Sequence, residues 1–473
     1  MYDRGEKMSN LTERTAGSLD KGRFVKFVAA GSLFQFFANL MQATVATYFN
    51  SYMTDTALIP AAAASLIMLI ACIWDLFADP VIGGLIERTE TKAGRYRPYI
   101  LISAPVLTVV CFFLFYNING LSESGKILYL LVAYVLFGSA LTFYNVPTSA
   151  VITSSVGDME QRNKAFMAAG IGVGAAFTVA STWTEDISRL LGGGSNYCWN
   201  MLLYGVPFCL VGIFYFRASQ ENYIVRKEKT PVLKSLKTIL RHREVWSCIA
   251  IWMLTSLGYG LMFSSSVYYI KYYIAVEHSQ WALIGTYMFV ISMGALVSMV
   301  AVQPLFLKLF RYDHNKAVML SQSLTFVCYI VLFFFGRKGF AFLCTVSFLA
   351  TCCNAMTQAL QGAYIADTID YVQLKEGVTL GAVANSIKTF ACKVGSAFAN
   401  YGILAMLALT GYIENAVGAS QSAAAKEGIN LFRFGLPAVC SVALVVIIAL
   451  YPIRKCYPEI RAMKENMSSM NSV

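Results

Sequence analysis

Two carboxylates occur in the middle of a strongly apolar stretch of the sequence. Asp75 and Asp79 lie within the segment from Ile59 to Ile86, where apolar and small residues dominate. A carboxylate in the hydrocarbon region of a membrane is costly, so an acid placed there marks an ion path or a binding site. Because residues four apart share one face of a helix, both side chains project toward the same cavity or partner.

Two chemistries suit this pair of acids. Hard cations such as Na⁺ prefer oxygen ligands, which carboxylates supply. Alternatively, repulsion between two close carboxylates raises one apparent pKa and creates a proton-binding group. Pro80 cannot donate a hydrogen bond to the carbonyl of Leu76, so that backbone oxygen is a further candidate ligand. The residue types alone leave Na⁺ and H⁺ open.

The composition of the chain is that of a membrane protein. Of its 473 residues, 57% are hydrophobic and 13% are charged, and the mean hydropathy is +0.58. These values lie outside the range of soluble domains. We count twelve stretches long enough to cross a bilayer, which predicts an all-α membrane protein. They cover approximately residues 24–53, 59–86, 99–116, 127–156, 165–184, 199–216, 247–273, 281–305, 317–336, 339–366, 379–410 and 430–452.

The distribution of Lys and Arg predicts the orientation. Basic residues concentrate in the short loops on one side, for example Arg88, Lys92, Arg95 and Arg97 after the second stretch. Positive residues favour the cytoplasmic side, so both termini are predicted to be cytoplasmic in a multi-pass protein of the cell (inner) membrane. Residues 1–23 show no signal-peptide pattern, and we expect them to remain.

A basic stretch divides the chain into two halves. Residues 217–246 hold eight basic and three acidic side chains and separate six apolar stretches from six. The predicted organisation is a cytoplasmic N-terminus (1–23), a six-helix half (24–216), a linker (217–246), a second half (247–452) and a tail (453–473). Val232 to Arg241 has a helical apolar period, which favours an amphipathic surface helix, with a solvated loop as the alternative. Six plus six is typical of transporters with a site between two repeats.

Other function classes are disfavoured. The twelve cysteines lie mostly in apolar stretches, where Cys acts as a small hydrophobe. With three His and no CxxC pair, a transition-metal site is not expected. The net charge of +11 is spread over short loops, which indicates membrane topology and not nucleic-acid binding. We find no constellation for an enzyme and expect no cofactor beyond a coupling ion, Na⁺ or H⁺.

Several motifs resemble the signature of a known transporter family. They include Trp74-Asp75-x-x-x-Asp79-Pro80-x-x-Gly83, Arg88-Thr89, Gly94-Arg95-Tyr96-Arg97-Pro98, Asn145-Val146-Pro147, Asp158-x-x-x-Arg162, Ala366-Asp367-x-x-Asp370-Tyr371 and Lys393-x-Gly395-Ser396-Ala397-Phe398. In this order they are similar to the glycoside-pentoside-hexuronide:cation symporters, the melibiose-permease-like branch of the major facilitator superfamily. The resemblance covers essentially the whole chain. It implies a fold of two six-helix halves and cation-coupled symport of a sugar or glycoside by alternating access.

The resemblance also implies a cation site. By position it would consist of Asp75, Asp79, Thr142 and Lys393, with Asp75 and Asp79 as the metal ligands if the ion is Na⁺. Lys393 would neutralise the empty site. Ala78 departs from relatives that carry Asn there, which favours H⁺ mildly. A purely structural ion pair with Lys393 is the alternative.

The family's sugar-binding positions differ in this chain. Where melibiose-permease relatives carry two Asp, a Trp and an Arg, the sequence has Asn39, Asn145, Ser149 and Gly170. The matching positions of the second half are Gln358, Lys388, Thr389 and Lys393. Losing two acids and gaining a lysine favours an acidic cargo such as a hexuronide; the alternative is that Lys388 snorkels or pairs with a cytoplasmic acid.

Charged residues near the cytoplasmic rim are candidate gate residues. They are Asp158 with Arg162, and Asp367 and Asp370 opposite Arg311. Such pairs can close the cytoplasmic face of a transporter and break when its halves rock. The alternative is that they are surface ion pairs that contribute little stabilising energy. Four tyrosines near the end of the seventh stretch, Tyr268, Tyr269, Tyr272 and Tyr273, are interpreted as an interfacial aromatic belt. The rival functions are a uniporter of the same fold, a symporter of lysolipids or other amphiphiles, and a non-transporting sensor.

Overall fold

A computed structural model describes residues 19–156, 159–192, 197–221, 238–275, 282–311, 313–376, 381–413 and 421–460. Within these ranges the chain is helical and contains no strand, apart from one isolated bridge between Thr91 and Gly94. Most of the predicted linker, residues 222–237, and the predicted gate residue Asp158 lie outside the described ranges.

Twelve helices in the described ranges are long and apolar enough to cross a membrane. This confirms the predicted all-α, twelve-helix fold. They are α1 (Lys21–Thr56), α2 (Ala61–Arg88), α3 (Arg97–Leu114), α4 (Glu123–Ser155), α5 (Met159–Leu190), α6 (Cys198–Ala218), α7 (Val245–Ile274), α8 (Leu283–Leu309), α9 (His314–Lys338), α10 (Phe340–Glu376), α11 (Gly381–Leu409) and α12 (Ala423–Ile460).

Several helices extend beyond the apolar stretches that predict them. The largest extension is the polar end of α10, which reaches Glu376. Hydropathy detects the part of a helix that crosses the hydrocarbon, whereas backbone hydrogen bonding continues into water. Polar side chains outside the apolar stretches set several helix starts: Ser122, Asp313 and Ser422 each accept a backbone N–H at the N-cap of α4, α9 and α12.

The chain forms two compact units, residues 1–227 and 228–473. In the first unit, α1 packs against α5 and α6, α3 packs against α4 and α6, and α2 packs against α4. In the second unit, α7 packs against α11 and α12, α9 packs against α10 and α12, and α8 packs against α10. The two lists are identical after a shift of six helices, so the two units have the same internal packing.

Glycines permit the closest helix contacts in both units. A Cβ at Gly172 of α5 would lie 2.8 Å from the Ser32 carbonyl oxygen of α1. A Cβ at Gly395 of α11 would collide with the Met253 carbonyl oxygen of α7. The equivalent pairs α1–α5 and α7–α11 therefore approach through backbone, as small residues allow in membrane helices.

The loop between α2 and α3 binds a carboxylate from the end of α6. The backbone N–H groups of Arg95, Tyr96 and Arg97 each donate to Glu221 at 2.7 Å. Gly94 has φ +113°, and a Cβ there would lie 2.7 Å from the Glu221 carboxyl carbon. Consecutive N–H groups of this kind form an anion-binding nest. The Gly94–Pro98 motif thus joins the start of α3 to the end of α6.

Candidate cation and substrate sites

The two acids of α2 lie against α4. Thr142 donates its hydroxyl to Asp79 Oδ1 at 2.5 Å and lies 3.3 Å from the Gly138 carbonyl oxygen. Thr142 is buried, and Asp79 is half-buried. The structure therefore brings together two members of the predicted cation site, at the main contact of α2 with a neighbouring span in the first unit.

Asp75 occupies space left by a glycine of α4. A Cβ at Gly138 would collide with Asp75 Oδ1 and would lie 3.1 Å from its carboxyl carbon. The Tyr134 hydroxyl, one turn earlier on α4, is within electrostatic range of the same carboxylate. Asp75 is half-buried. Sequence reasoning missed Gly138, although its spacing of four residues from Thr142 places both on one face of α4.

The indole of Trp74 adds a third link between these helices. Its Nε1 donates to Ser139 Oγ of α4 at 3.0 Å. Two hydrogen bonds, from Trp74 and to Asp79, thus join α2 to α4, and the Asp75 carboxylate lies between them beside Gly138.

Lys393, the fourth predicted member of the cation site, belongs to the second unit. It lies on α11, two residues before the close contact of Gly395 with α7, and is half-buried. Its position on α11 is therefore fixed by backbone packing, which limits the space that its ammonium group can reach.

The predicted sugar residues of the first unit fall into two groups. Asn145 and Ser149 lie four apart on α4 and are exposed, and an exposed polar face on a membrane span lines a water-filled space in preference to lipid. Asn39 of α1 is 7% exposed and donates to the Gln35 carbonyl oxygen at 2.7 Å. Asn39 therefore has little surface left for a sugar. At Gly170, the structure shows open space.

In the second unit, the predicted residue Gln358 lies beside a break in α10. The first segment of α10 ends at Ala359 and the next begins at Gln361. Gln361 Nε2 donates to Gln358 Oε1 at 2.8 Å, and Trp252 Nε1 of α7 donates to the Gln361 carbonyl oxygen at 3.3 Å. The indole thus satisfies a backbone oxygen at the break. Broken helices of this kind form substrate sites in transporters.

Cys392 of α11 completes this group. Its Sγ donates to Gln361 Oε1 at 3.5 Å. Lys388 lies one helical turn earlier on the same face of α11 and is half-buried. Among the described residues Lys388 forms no ion pair, so the acid-paired alternative for this lysine has no partner there. Thr389, the next predicted residue, is exposed. Sequence reasoning missed Gln361, Cys392 and Trp252.

Asp367 has partners other than Arg311 in the structure. Its Oδ2 accepts from Tyr457 at 2.6 Å and Tyr451 at 3.2 Å, and lies 3.1 Å from His314 Nε2. Arg311 forms no ion pair in the described ranges, and the role of these residues in a gate stays a prediction. Asp370 lies three residues later on the same segment of α10.

Arg162 of α5 contacts the end of α4. Its Nη2 donates to the Val156 carbonyl oxygen at 3.1 Å. A cation at this place also compensates the negative end of the α4 helix dipole. Its predicted partner, Asp158, lies outside the described ranges, so the role of these residues in a gate stays a prediction.

Comparison with known proteins assigns the chain to a family. The model of the MFS/sugar transport protein family matches residues 32–455. The chain belongs to this family. It is a membrane transporter and not an enzyme, and the resemblance to glycoside:cation symporters of the major facilitator superfamily is confirmed.

Curated relatives match nearly the full length of this transporter. It is 24% identical to the "Glucuronide carrier protein homolog" of Escherichia coli (strain K12), over 88% of this chain and 90% of that protein. It is 25% identical to the "Isoprimeverose transporter" of Lactiplantibacillus pentosus, over 91% and 89%. Among solved structures, a bacterial homologue of the human lysosomal transporter Spinster, in an inward-facing and unoccupied conformation, has a TM-score of 0.65 at 13% identity, over 93% and 99%. That likeness concerns the fold alone.

Proposed function

We propose that Asp75, Asp79 and Thr142 of the first unit form the site at which this sugar symporter binds its coupling ion; the role of Lys393, on the second unit, stays a prediction. The protein transports a sugar or glycoside together with a cation. The observation that carries the proposal is the α2–α4 contact, where one carboxylate is bonded to Thr142 and the other fills the space beside Gly138. Relatives described as symporters and as a glycoside/cation symporter support the coupling to a cation.

The chemistry of the site suits either ion. Two carboxylates and a hydroxyl supply the oxygen ligands that Na⁺ prefers. For H⁺, one carboxylate of a close pair accepts the proton because protonation relieves the repulsion. In both cases binding of the cation offsets the negative charge of the two carboxylates. Alternating access then carries the cation inward with the cargo.

We assign the cargo to acidic sugars, such as hexuronides. Lys388 is half-buried beside the break in α10 and has no ion-pair partner in the described part of the chain. Asn145 and Ser149 supply neutral donors and acceptors for hydroxyl groups. The relative named as a glucuronide carrier homologue supports an acidic cargo, whereas the relative named as an isoprimeverose transporter identifies a different sugar.

Gradient-driven uptake tests the coupling. The full chain is reconstituted in phospholipid vesicles, and uptake of a radiolabelled glucuronide is followed under an imposed Na⁺ or H⁺ gradient. The wild type accumulates the sugar under one gradient, and Asp75→Asn abolishes accumulation. Glu90→Gln, which removes an exposed carboxylate 3.8 Å from Arg95, is the control and transports normally. Sugar uptake that depends on neither gradient would indicate a uniporter.

A second measurement tests the cargo. Lys388→Gln is expected to weaken glucuronide uptake about tenfold, the effect of losing one charged hydrogen bond, and to leave uptake of a neutral galactoside unchanged. Binding of the galactoside alone by the wild type would refute an acidic cargo.

We also place both termini in the cytoplasm of a cell whose inner membrane holds the protein. The support is the concentration of Lys and Arg in the loop after α2 and after α12. Green fluorescent protein fused after Val473 folds only in the cytoplasm, so fluorescent cells are expected and dark cells with normal expression would reverse the orientation.

A further inference from the structure

A cavity of about 580 Å³ lies between the start of α1 and the end of α6. The chain crosses the membrane six times between these two points, so both lie at the same membrane face. We call this cavity the basic groove. Its lining residues are Leu19, Arg23, Lys26, Ala29, Ala30, Leu33, Ser155, Val211, Phe214, Arg217, Ala218 and Gln220.

The basic groove carries uncompensated positive charge. Arg23, Lys26 and Arg217 line it, and all three side chains are exposed. None of them forms an ion pair in the ranges that the structure describes. Asp20, just before α1, does not pair with them, and the carboxylate of Glu221 is occupied by three backbone N–H groups of the loop before α3. Among the described residues no acid offsets this charge, so the groove attracts an anion.

One wall of the basic groove is apolar and continues along α6. Phe214 is 63% exposed, and Leu33 of α1 is 50% exposed. Leu210, Val206 and Leu203 are also exposed and extend the line from Phe214 at helical spacing. On a membrane span such a stripe contacts acyl chains, which match its polarity. The groove thus joins a cationic rim to a lipid-facing surface.

Ser155 at the end of α4 gives the basic groove an unsatisfied polar group. It lines the cavity and is 2% exposed, and its Oγ has no hydrogen-bond partner in the structure. Buried hydroxyl groups normally have a partner, and each exception needs an explanation. An oxygen atom of a ligand in the cavity would supply the missing acceptor.

We propose that the basic groove binds the phosphate headgroup of an anionic phospholipid, with one acyl chain along the exposed stripe of α6. Basic pockets between membrane helices are suited to such headgroups. The apolar wall favours a lipid over a soluble anion, because a free phosphate has no apolar part that could contact this wall. The opposite end of α6 provides a contrast: its groove is lined by Leu191, Trp199, Leu202, Leu203, Val206 and Pro207, without a charged residue.

Native mass spectrometry of the purified full chain tests this proposal. Phosphatidylglycerol or phosphatidylcholine is added to the protein in detergent, and bound lipids are counted. The wild type is expected to bind phosphatidylglycerol about tenfold more tightly than phosphatidylcholine. Replacing Arg23, Lys26 and Arg217 by Gln removes this preference, and Lys26→Gln alone reduces it about fivefold, as expected for one basic residue near a headgroup.

A charge-matched control separates the groove from diffuse attraction. Lys92, Lys308 and Lys455 are exposed lysines outside the lining of the groove, and replacing them by Gln is expected to leave the preference unchanged. Ser155→Ala is expected to weaken phosphatidylglycerol binding about threefold, the effect of one hydrogen bond, without affecting phosphatidylcholine. An equal loss in the control variant, or full displacement of the lipid by excess inorganic phosphate, would overturn the proposal.

Discussion

The α2–α4 contact of the first unit and the α8–α10 contact of the second are equivalent places in the same packing pattern, but they contain different chemistry. In the first, the missing side chain of Gly138 makes room for the Asp75 carboxylate. In the second, a Cβ at Gly294 of α8 would lie 3.0 Å from the Phe348 carbonyl oxygen and 3.1 Å from Thr351 Cβ. The glycine makes room for a carboxylate in the first unit and permits close backbone packing in the second.

The helices of these contacts also differ in continuity. In the first unit, α4 runs unbroken from Glu123 to Ser155 although it contains Pro147. In the second unit, α10 breaks at Leu360, and the side chains around the break bond to one another and to α7 and α11. Under the proposed function, the unbroken helix α4 presents residues to a small ion, whereas the broken helix α10 presents polar groups to the larger sugar. The proposal thus places two different sites on the duplicated scaffold.

The largest effect is expected at Gly138. Gly138→Ala forces the Asp75 carboxylate to move, because the new methyl group occupies its place. Overpacking of this kind costs about 2 kcal/mol, so we expect the half-saturating concentration of the coupling ion to rise about 30-fold. Sugar uptake measured against Na⁺ concentration and against pH gives this number.

Two alanine substitutions test whether the effect belongs to the α2–α4 contact. Gly84→Ala, also near the acids in sequence, meets nothing within 4 Å and is expected to behave as wild type. Gly294→Ala is expected to lower the thermal unfolding temperature without changing the half-saturating ion concentration. If Gly294→Ala weakened ion binding as strongly as Gly138→Ala, the two contacts would not be chemically distinct.

A smaller effect is expected at Thr142. Thr142→Val keeps the shape of the side chain but removes the hydroxyl that donates to Asp79. Loss of a hydrogen bond to a carboxylate is expected to weaken ion binding about tenfold, or about 1.4 kcal/mol. Thr142→Ser retains the donor and should stay within twofold of wild type in the same uptake assay. Equal ion affinity in the Val and Ser variants would remove Thr142 from the site.

A change at the break in α10 is expected to affect the sugar and not the ion. Trp252→Phe removes the indole N–H that satisfies the Gln361 carbonyl oxygen, and we expect sugar affinity to fall about threefold. Trp246→Phe removes a comparable bond to the Leu240 carbonyl oxygen in the same unit and serves as the control. A shift in ion affinity caused by Trp252→Phe would contradict the assignment of ion binding to α4 and of sugar binding to α10.

The smallest effect is expected for the Trp74–Ser139 bond. Trp74 is 49% exposed, so water replaces the bond when it is lost, and Ser139→Ala should weaken ion binding less than twofold. Trp74→Phe removes the same bond from the other side. The double variant should then bind the ion no more weakly than the more affected single variant. Additive losses of ion affinity would show that the two residues act separately.

Sequence patterns determined the features that depend on local composition. Hydropathy identified the twelve spans, because the cost of placing polar groups in hydrocarbon requires a long apolar sequence in a helix that crosses the membrane. The four-residue spacing of Asp75 and Asp79 placed both acids on one face, since helix geometry alone fixes that relation. Thr142 was assigned through resemblance, and the structure places its hydroxyl on Asp79.

Only the tertiary structure decided which neighbour each side chain meets. The predicted aromatic belt is wrong, because Tyr268, Tyr269 and Tyr272 are almost completely buried within the second unit. Hydropathy measures transfer from water to an apolar medium, and it does not distinguish lipid from the interior of a helix bundle. For the same reason the sequence did not reveal that Asn39 is enclosed.

The sequence likewise did not reveal that a glycine of α4 leaves space for the Asp75 carboxylate. A glycine in an apolar stretch has no pattern that tells whether it faces open space, a backbone or a carboxylate, as Gly170, Gly172 and Gly138 do in turn. The distinction arises from the packing of helices distant in sequence. The sequence therefore determined the helices and the acidic pair, and helix packing determined which groups surround that pair.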